Sequence, residues 1–189
     1  MFVDPSAGEL YLAVSGPVTT LHRAPYTSES VGPAELLGEV PLTDADDLLL
    51  LPDAGVLVIP SGRVDGKAGL FSLAGAPAST VEGALADRTN VVALPRAGAN
   101  VIALGGPSGV VVGSVSDGAF TQYGQTLLSD VADTFVRTVM DGTVLVVGDR
   151  AGLRTLETPN ELDAPWTELD RLDFEGGTAM ESGALVPCP

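Results

Sequence analysis

Carboxylates are the most abundant reactive groups in this chain, and three of them stand close together. Asp44, Asp46 and Asp47 precede an apolar run, and closely spaced carboxylates can supply the hard oxygen ligands that Ca²⁺ prefers. Aspartates also precede or adjoin later apolar runs: Asp87, Asp130, Asp133, Asp170 and Asp173. A recurring aspartate favours a structural role, in which its oxygens accept hydrogen bonds from turn amides. We therefore predict no resident metal or cofactor, and Asp44, Asp46 and Asp47 are the calcium candidates.

The most charged stretch of the chain, residues 161–173, surrounds the only tryptophan, Trp166. Trp166 and Glu168 could form a surface for calcium or a cationic partner. The alternative is an outer strand whose tryptophan packs between sheets. Cys188 is the only cysteine, so no disulfide can close within the chain, and we expect it to be available for pairing outside the chain. The predicted interaction residues are therefore Trp166, Glu168 and Cys188.

The residue inventory argues against catalysis. His22 is the only histidine, which excludes a multi-histidine metal site. No Gly-x-Ser-x-Gly elbow is present, and the glycine-rich residues 105–113 contain no lysine, so they do not form a P-loop. Paired carboxylates could act as the acid and base of a glycan hydrolase or lyase, but 25 acidic residues produce such pairs by chance. We predict a protein that is not an enzyme.

Residues 114–120 are similar to the Asp-box turns of sialidase-like proteins. Their Asp117 and Gly118 are adjacent, whereas another residue separates Asp from Gly in that motif. An Asp-Gly pair between apolar runs is a strong signal for a tight β-hairpin. The prediction is therefore a plain hairpin at this place.

The net charge limits the partners of this protein. Acidic residues number 25 and basic residues 9, for a net charge of −16, which repels nucleic acids and anionic membranes. No run of 18 apolar residues occurs, so no membrane-spanning helix is expected. The only lysine is Lys67. Such an acidic, lysine-poor composition resembles that of proteins from salt-adapted bacteria, and the alternative is the compositional bias of a GC-rich genome.

The start of the chain, MFVDPSAGELY, lacks a basic segment followed by an apolar run, so we do not expect it to be a signal peptide. An extracellular or cell-surface location would require an export signal elsewhere. A cytoplasmic location is the alternative.

The main feature of the sequence is a repeat of about 40 to 50 residues. Each unit has an apolar run, a turn that ends in glycine, and a second apolar run. The turn glycines are Gly8, Gly55, Gly98, Gly142 and Gly183, with spacings of 47, 43, 44 and 41 residues. The apolar runs are short, rich in β-branched residues and bounded by Gly or Pro, as buried strands are. Periods of this length indicate propellers or solenoids.

A third and a weaker fourth apolar run follow each pair, so each unit predicts four strands. The expected fold is all-β, a β-propeller of four-stranded antiparallel blades with about four full blades and a partial fifth. The repeats are 1–44, 45–87, 88–130, 131–173 and the partial 174–189, within one domain over residues 1–189. Helical spacing is an alternative only at residues 29–37 and 126–132.

These units resemble the repeats of kelch-type β-propellers. The resemblance rests on a strand, a glycine-containing turn, a second strand ending in Gly105 and Gly106, and a later aromatic residue such as Tyr123 or Trp166. It is greatest for the degenerate kelch-like arrays of large exported bacterial proteins. It implies a non-catalytic structural or protein-interaction module of an exported or cell-surface assembly. A carbohydrate- or calcium-binding propeller is the alternative.

The last repeat supplies too few strands for a full unit. Residues 178–186 provide two strands, and an unpaired apolar strand edge recruits other chains. We therefore expect a protein partner or self-association through edge strands, with the missing strands supplied by another copy or by flanking sequence. A self-sufficient four-bladed propeller with a C-terminal tail is the alternative.

Overall fold

The computed structural model describes residues 1–45, 47–52, 54–59, 67–74, 76–82, 88–107, 109–123, 134–149, 151–161 and 164–174. These residues form sixteen β-strands and no helix. The prediction of an all-β fold is confirmed. None of the described residues belongs to a helix that could span a membrane.

The strands form four consecutive antiparallel meanders, in which each strand pairs with the next along the chain. Meander one consists of β1 Phe2–Asp4, β2 Glu9–Val14, β3 Thr19–Pro25 and β4 Glu35–Val40. Meander two consists of β5 Asp47–Leu51, β6 Gly55–Ile59, β7 Lys67–Phe71 and β8 Ser79–Glu82. Meander three consists of β9 Asn90–Ala93, β10 Val101–Gly106, β11 Gly109–Ser116 and β12 Ala119–Gln122. Meander four consists of β13 Phe135–Val139, β14 Val144–Gly148, β15 Gly152–Glu157 and β16 Thr167–Asp173.

Two kinds of contact join the meanders. The first strand of each meander contacts the first strand of the next, so that β1, β5, β9 and β13 follow one another in space. In addition, β8 and β12 form a parallel pair at Glu82 and Ala119. That pair joins meanders two and three into one eight-stranded sheet. Because β5 and β9 at its two ends are in contact, this sheet is nearly closed and barrel-like.

Three apolar clusters lie between successive meanders, and we name them A, B and C. Cluster A joins meanders one and two: Tyr11, Leu21, Val40, Leu42, Leu48, Val56, Val58 and Phe71. Cluster B joins meanders two and three and contains Leu57, Ile59, Ile102 and Leu104. Cluster C joins meanders three and four and contains Val101, Ala103, Leu145 and Val147.

The alternation of side chains along a strand explains this layering. Successive residues point to opposite faces of a sheet, so Val56 and Val58 of β6 reach cluster A while Leu57 and Ile59 reach cluster B. All five residues of β6 are buried. Burial of an apolar side chain stabilises the fold by about 1.5–3 kcal/mol, so strands that bury both faces anchor the layers.

The turn glycines have the backbone geometry that the repeat predicts. Gly8, Gly55, Gly98 and Gly142 all have positive φ, at 66°, 112°, 147° and 82°, a region that glycine enters without steric cost. Gly183 lies outside the described residues. These four glycines of the repeat therefore stand at positions where the backbone conformation favours glycine.

The hairpin at Asp117 and Gly118 is also as predicted. Both residues have positive φ, 50° and 73°, and they connect the paired residues Ser116 and Ala119. A two-residue turn of this left-handed kind matches the natural twist of antiparallel strands.

The helical alternative at residues 29–37 is wrong, because β4 already begins at Glu35 and a bridge pairs Tyr26 with Val31. Strand pairing with β3 outweighs the local helical spacing there. Residues 126–132 and 178–186 lie outside the described part of the chain.

Candidate functional site

The three calcium candidates do not form a ligand set in the described structure. Asp44 is exposed, and Asp46 lies outside the described residues. Both carboxylate oxygens of Asp47 accept backbone hydrogen bonds, Oδ1 from its neighbour Leu48 at 3.0 Å and Oδ2 from Val91 at 3.0 Å. Within the described residues, no three His, Cys, Asp or Glu side chains converge as metal ligands would. The prediction of no resident metal, with calcium at these residues as the alternative, stays a prediction.

The hydrogen bond from Val91 gives Asp47 a structural role. Asp47 begins β5 and Val91 belongs to β9, so this carboxylate joins the first strands of meanders two and three. Asn90 does the same one meander later, since its Oδ1 accepts a 2.8 Å hydrogen bond from the Val136 amide of β13. We call these two side chains the inter-meander clasps. They satisfy backbone amides that the strand ladders leave open.

The predicted interaction residues are spread over different environments. Trp166 is half-buried and packs against cluster C. Glu168 is exposed on β16, where it pairs with Leu156 of β15. Cys188 lies outside the described residues. Their roles in an interaction stay predictions.

A different surface has the properties of a binding site, and it lies on meander one. On β2, Tyr11 and Ala13 contact cluster A, so Leu10, Leu12 and Val14 point to the opposite face. Leu12 is 42% exposed and Val14 is 44% exposed. We call this surface the open face. It also carries Val3 of β1, which pairs with Leu10, and Leu36 of β4, which pairs with His22.

The open face contains a pocket of about 300 Å³. Its walls are almost entirely apolar: Leu10, Leu12, Val14, His22, Arg23, Ala24, Val31, Gly32 and Ala34. The connection between β3 and β4 forms one wall, where the Gly32 amide donates a 2.8 Å hydrogen bond to the Pro25 carbonyl. The pocket can accept an apolar side chain, and it offers few polar groups to a soluble ligand.

The charged group in the pocket wall is already neutralised. Arg23 donates a 2.8 Å hydrogen bond to Glu35 and lies 3.6 Å from Glu9. The hydrogen bond to Glu35 is the main cause that raises the pKa of Arg23. The His22 ring nitrogen Nε2 lies 3.1 Å from the Thr20 hydroxyl oxygen. Glu39 of β4 is exposed and pairs with Thr20, so it adds a negative charge to the same face as His22.

Beneath the open face, Tyr11 anchors meander one to cluster A. Its ring is 1% exposed, and its hydroxyl donates a 2.5 Å hydrogen bond to Glu9. Burial, followed by the hydrogen bond to Glu9, raises the pKa of Tyr11 to about 12. The same strand thus has one firmly packed face and one apolar face that is partly exposed.

None of the predicted site residues lies on this surface, although the sequence contains a signal for it. The run ELYLAV of β2 has apolar residues on both faces of the strand, and so does the run GVLVI of β6. Strands that are apolar on both faces are typical of sheets covered on both sides. This pattern indicates that both faces of β2 can be covered, and only the placement of the neighbouring sheets shows which face is exposed.

No family model and no curated protein matches this chain. Solved structures do resemble it. A protein from Lactobacillus plantarum aligns with a TM-score of 0.60 at 20% identity, over 90% of this chain and 55% of its own. A functionally unknown protein from Desulfotomaculum acetoxidans aligns with a TM-score of 0.68 at 16% identity, over 90% and 54%.

A putative 6-phosphogluconolactonase from Bacteroides uniformis aligns with a TM-score of 0.51 at 14% identity, over 89% of this chain and 69% of its own. At these identities the likeness concerns the fold alone. The chain spans about half the length of the first two proteins. The comparisons therefore show a likeness of fold to proteins of which the first two are substantially longer than this chain.

Proposed function

We propose that the four meanders are blades of a kelch-like β-propeller segment, which serves as a non-catalytic structural or protein-interaction module of an exported or cell-surface bacterial assembly. The observation that carries this proposal is the open face. It is a largely apolar sheet surface on an acidic protein, and the opposite face of the same strands packs against cluster A.

The arrangement of the meanders supports the propeller. The first strands β1, β5, β9 and β13 are in successive contact, and clusters A, B and C fill the spaces between successive sheet faces. Blades packed face to face around a shared set of innermost strands have these two properties.

The lengths of the similar structures support the same proposal. The alignment covers 90% of this chain, which has four meanders in its described residues, and 55% and 54% of the first two proteins. Those proteins therefore have room for about three more units of the same length, which a repeat architecture would fill with further blades.

A protein-binding role fits the open face better than catalysis. Contiguous apolar patches with a polar rim mark protein-interaction surfaces, and the pocket walls hold only two side chains with ionisable groups, His22 and Arg23. The lactonase activity in the name of the Bacteroides uniformis protein is that protein's own.

Distances between spin labels test the propeller directly. One variant carries Val3→Cys on β1 and Thr138→Cys on β13, and a second carries Leu36→Cys on β4 and Leu169→Cys on β16, both with Cys188→Ser. Labelled protein is diluted with unlabelled protein, so that only distances within one chain are measured. The proposal predicts that the pair on the first strands is closer than the pair on the fourth strands, because blades diverge from the axis. Equal distances, or a longer distance between the first strands, would contradict it.

A further inference from the structure

We infer that the open face binds a cationic, amphipathic polypeptide segment of another protein, which lies extended along β2 with its apolar side chains towards the pocket. This inference deepens the proposed protein-interaction role, on which it rests, by naming the chemistry of the partner. Three properties of meander one support it: the spacing of the apolar side chains, the order of the wall beside them, and the charge around them.

The apolar side chains of the open face form a row along β2. Leu10, Leu12 and Val14 alternate along this strand, so neighbouring members of the row are about 7 Å apart. Leu12 and Val14 are 42% and 44% exposed. In an extended polypeptide, every second side chain lies on the same side with the same spacing. An extended segment can therefore match the row with successive apolar side chains, which a compact small molecule cannot do.

The pocket beside this row is held open by the connection between β3 and β4. All three side chains of the row line the pocket, whose volume is about 300 Å³. Within the connection, the Gly32 amide donates a 2.8 Å hydrogen bond to the Pro25 carbonyl, and the Thr27 amide donates a 2.8 Å hydrogen bond to the Ser30 carbonyl. The wall is thus ordered without a partner, which lowers the cost of binding.

Charge determines which segments fit the open face. Residues 2–40 contain one arginine, Arg23, and five carboxylates: Asp4, Glu9, Glu29, Glu35 and Glu39. Arg23 is already paired with Glu35 and Glu9. Glu39 is exposed on the open face, and Glu29 is exposed in the connection that forms the pocket wall. An apolar row with an acidic rim is complementary to a segment that carries Lys or Arg, whose long side chains can cross apolar surface to reach the rim.

The same charges argue against a second copy of this chain as the occupant. Acidic residues number 25 and basic residues 9, for a net charge of −16, so two copies repel each other. A cationic partner is instead attracted to the protein before contact. We expect the affinity for such a partner to fall as NaCl screens this attraction.

Isothermal titration calorimetry with three synthetic peptides tests the inference. The acetylated and amidated peptide KLKLKLK should bind the full chain at one peptide per protein, and more tightly at low NaCl. The peptide KSKSKSK keeps the charges without the apolar side chains, and ELELELE keeps the leucines with the opposite charge. Both should bind more than tenfold more weakly than KLKLKLK, because each lacks one of the two properties that the open face requires.

Two pairs of variants locate the binding site. Leu12→Ser removes a side chain of the row and should weaken KLKLKLK binding by more than tenfold. Leu169→Ser is its matched control, since Leu169 is 52% exposed on β16, and it should bind as the wild type does. Glu39→Gln should weaken binding by about two- to fivefold, whereas Glu168→Gln on β16 should leave it nearly unchanged. Thermal melting verifies that each variant is folded, as expected for exposed residues.

Failure of KLKLKLK to bind the wild-type chain would overturn the inference, as would equally tight binding of KSKSKSK or ELELELE. Equal losses in Leu12→Ser and Leu169→Ser would show that the peptide binds elsewhere, and would also overturn it. Sedimentation equilibrium at the same concentrations tests for self-association, and a dimer that Leu12→Ser dissociates would make a second copy the occupant and overturn the inference. The spin-label distances within one chain report on the propeller independently, so a propeller that does not bind the peptide would refute this inference alone.

Discussion

The second strands of meanders one and two have similar sequence patterns and different surroundings. In both β2 and β6, each of the two faces of the strand carries apolar side chains. Every residue of β6 is buried, between clusters A and B, whereas β2 buries Tyr11 and leaves Leu12 and Val14 more than 40% exposed. The difference lies in the neighbouring sheets: among the described strands, β6 has a sheet packed on each face, whereas β2 has a sheet packed on one face.

This comparison shows that the sequence of a strand sets how much apolar area it has, whereas the neighbouring sheets set how much of that area is buried. Apolar area contributes to stability only when it leaves water, at about 25 cal/mol per Å². The same residue type should therefore contribute more to the stability of meander two than to that of meander one. On the open face, that unused contribution is available for binding.

The largest expected effect comes from truncating matched leucines on the two strands. Leu57→Ala on β6 removes a fully buried side chain from cluster B and should lower the free energy of unfolding by about 2–5 kcal/mol. Leu12→Ala on β2 removes a side chain that is 42% exposed and should lower it by under about 1 kcal/mol. Urea unfolding of the monomer measures both values, and equal losses would refute the distinction between the two strands.

The second prediction concerns Tyr11 on the packed face of β2, and the dependence of the free energy of unfolding on pH in the alkaline range. Burial and Glu9 raise the pKa of Tyr11 from 10.0 to about 12, so the folded chain keeps this proton after the unfolded chain has lost it. The contribution of Tyr11 is therefore fully present below pH 10 and declines as the pH rises from 10 to 12. The decline should be at most about 3 kcal/mol.

Tyr11→Phe isolates this effect from the other groups that titrate at high pH. The variant should lose about 1 kcal/mol at neutral pH through the missing hydrogen bond to Glu9, and it should be less sensitive to pH above 10 than the wild type. If urea unfolding shows the same pH dependence for the two proteins, the pKa of Tyr11 is not raised in the folded chain, and the prediction is wrong.

The inter-meander clasps give a smaller effect that is confined to the covered sheets. Asp47→Ala leaves the Val91 amide without its carboxylate acceptor and should cost about 1–3 kcal/mol of unfolding free energy. Asp44→Ala serves as the control, since Asp44 is exposed and its replacement should change stability by under about 0.5 kcal/mol. If both variants lose the same amount in urea unfolding, the clasp contributes nothing beyond a surface charge.

The smallest expected effect is that of salt on the whole molecule. Because the net charge is −16, NaCl should screen self-repulsion and raise the melting temperature by about 2–4 °C, the equivalent of about 1 kcal/mol. The difference between Leu57→Ala and Leu12→Ala should not change, since both removed side chains are uncharged. A melting temperature that is flat or falls with NaCl would contradict the account of the charge.

The sequence predicts the strands well because their boundaries depend on local chemistry. The positive φ of Gly8, Gly55, Gly98 and Gly142 is a property of each turn by itself, so the repeat of glycines locates the hairpins. Residues 29–37 show where local evidence is insufficient. Their helical spacing is overridden by β4, which pairs with β3, and that pairing depends on a strand more than ten residues away.

The candidate site is less predictable, because burial depends on which sheets meet. The carboxylate of Asp47 is of a kind that often binds metal ions. Only the position of β9 in the fold shows that this carboxylate accepts a hydrogen bond from the Val91 amide. The exposure of Leu12 cannot be read from ELYLAV alone, since the same pattern is fully buried in β6. Pairing and layering decide which apolar face is free.

The reactivity of two matched cysteine variants tests the central claim most directly, namely that the open face is apolar and accessible on a folded sheet. Val14→Cys on β2 and Val58→Cys on β6 change the same residue type, with Val14 44% exposed and Val58 fully buried. Both are made with Cys188→Ser and studied at a dilution where the mass is that of a monomer. The account predicts that the thiol of the Val14→Cys variant reacts with a thiol reagent at nearly the rate of the unfolded chain. The thiol of the Val58→Cys variant should react more than a hundredfold more slowly, because its reaction requires local opening. Equal rates for the two variants would contradict the account.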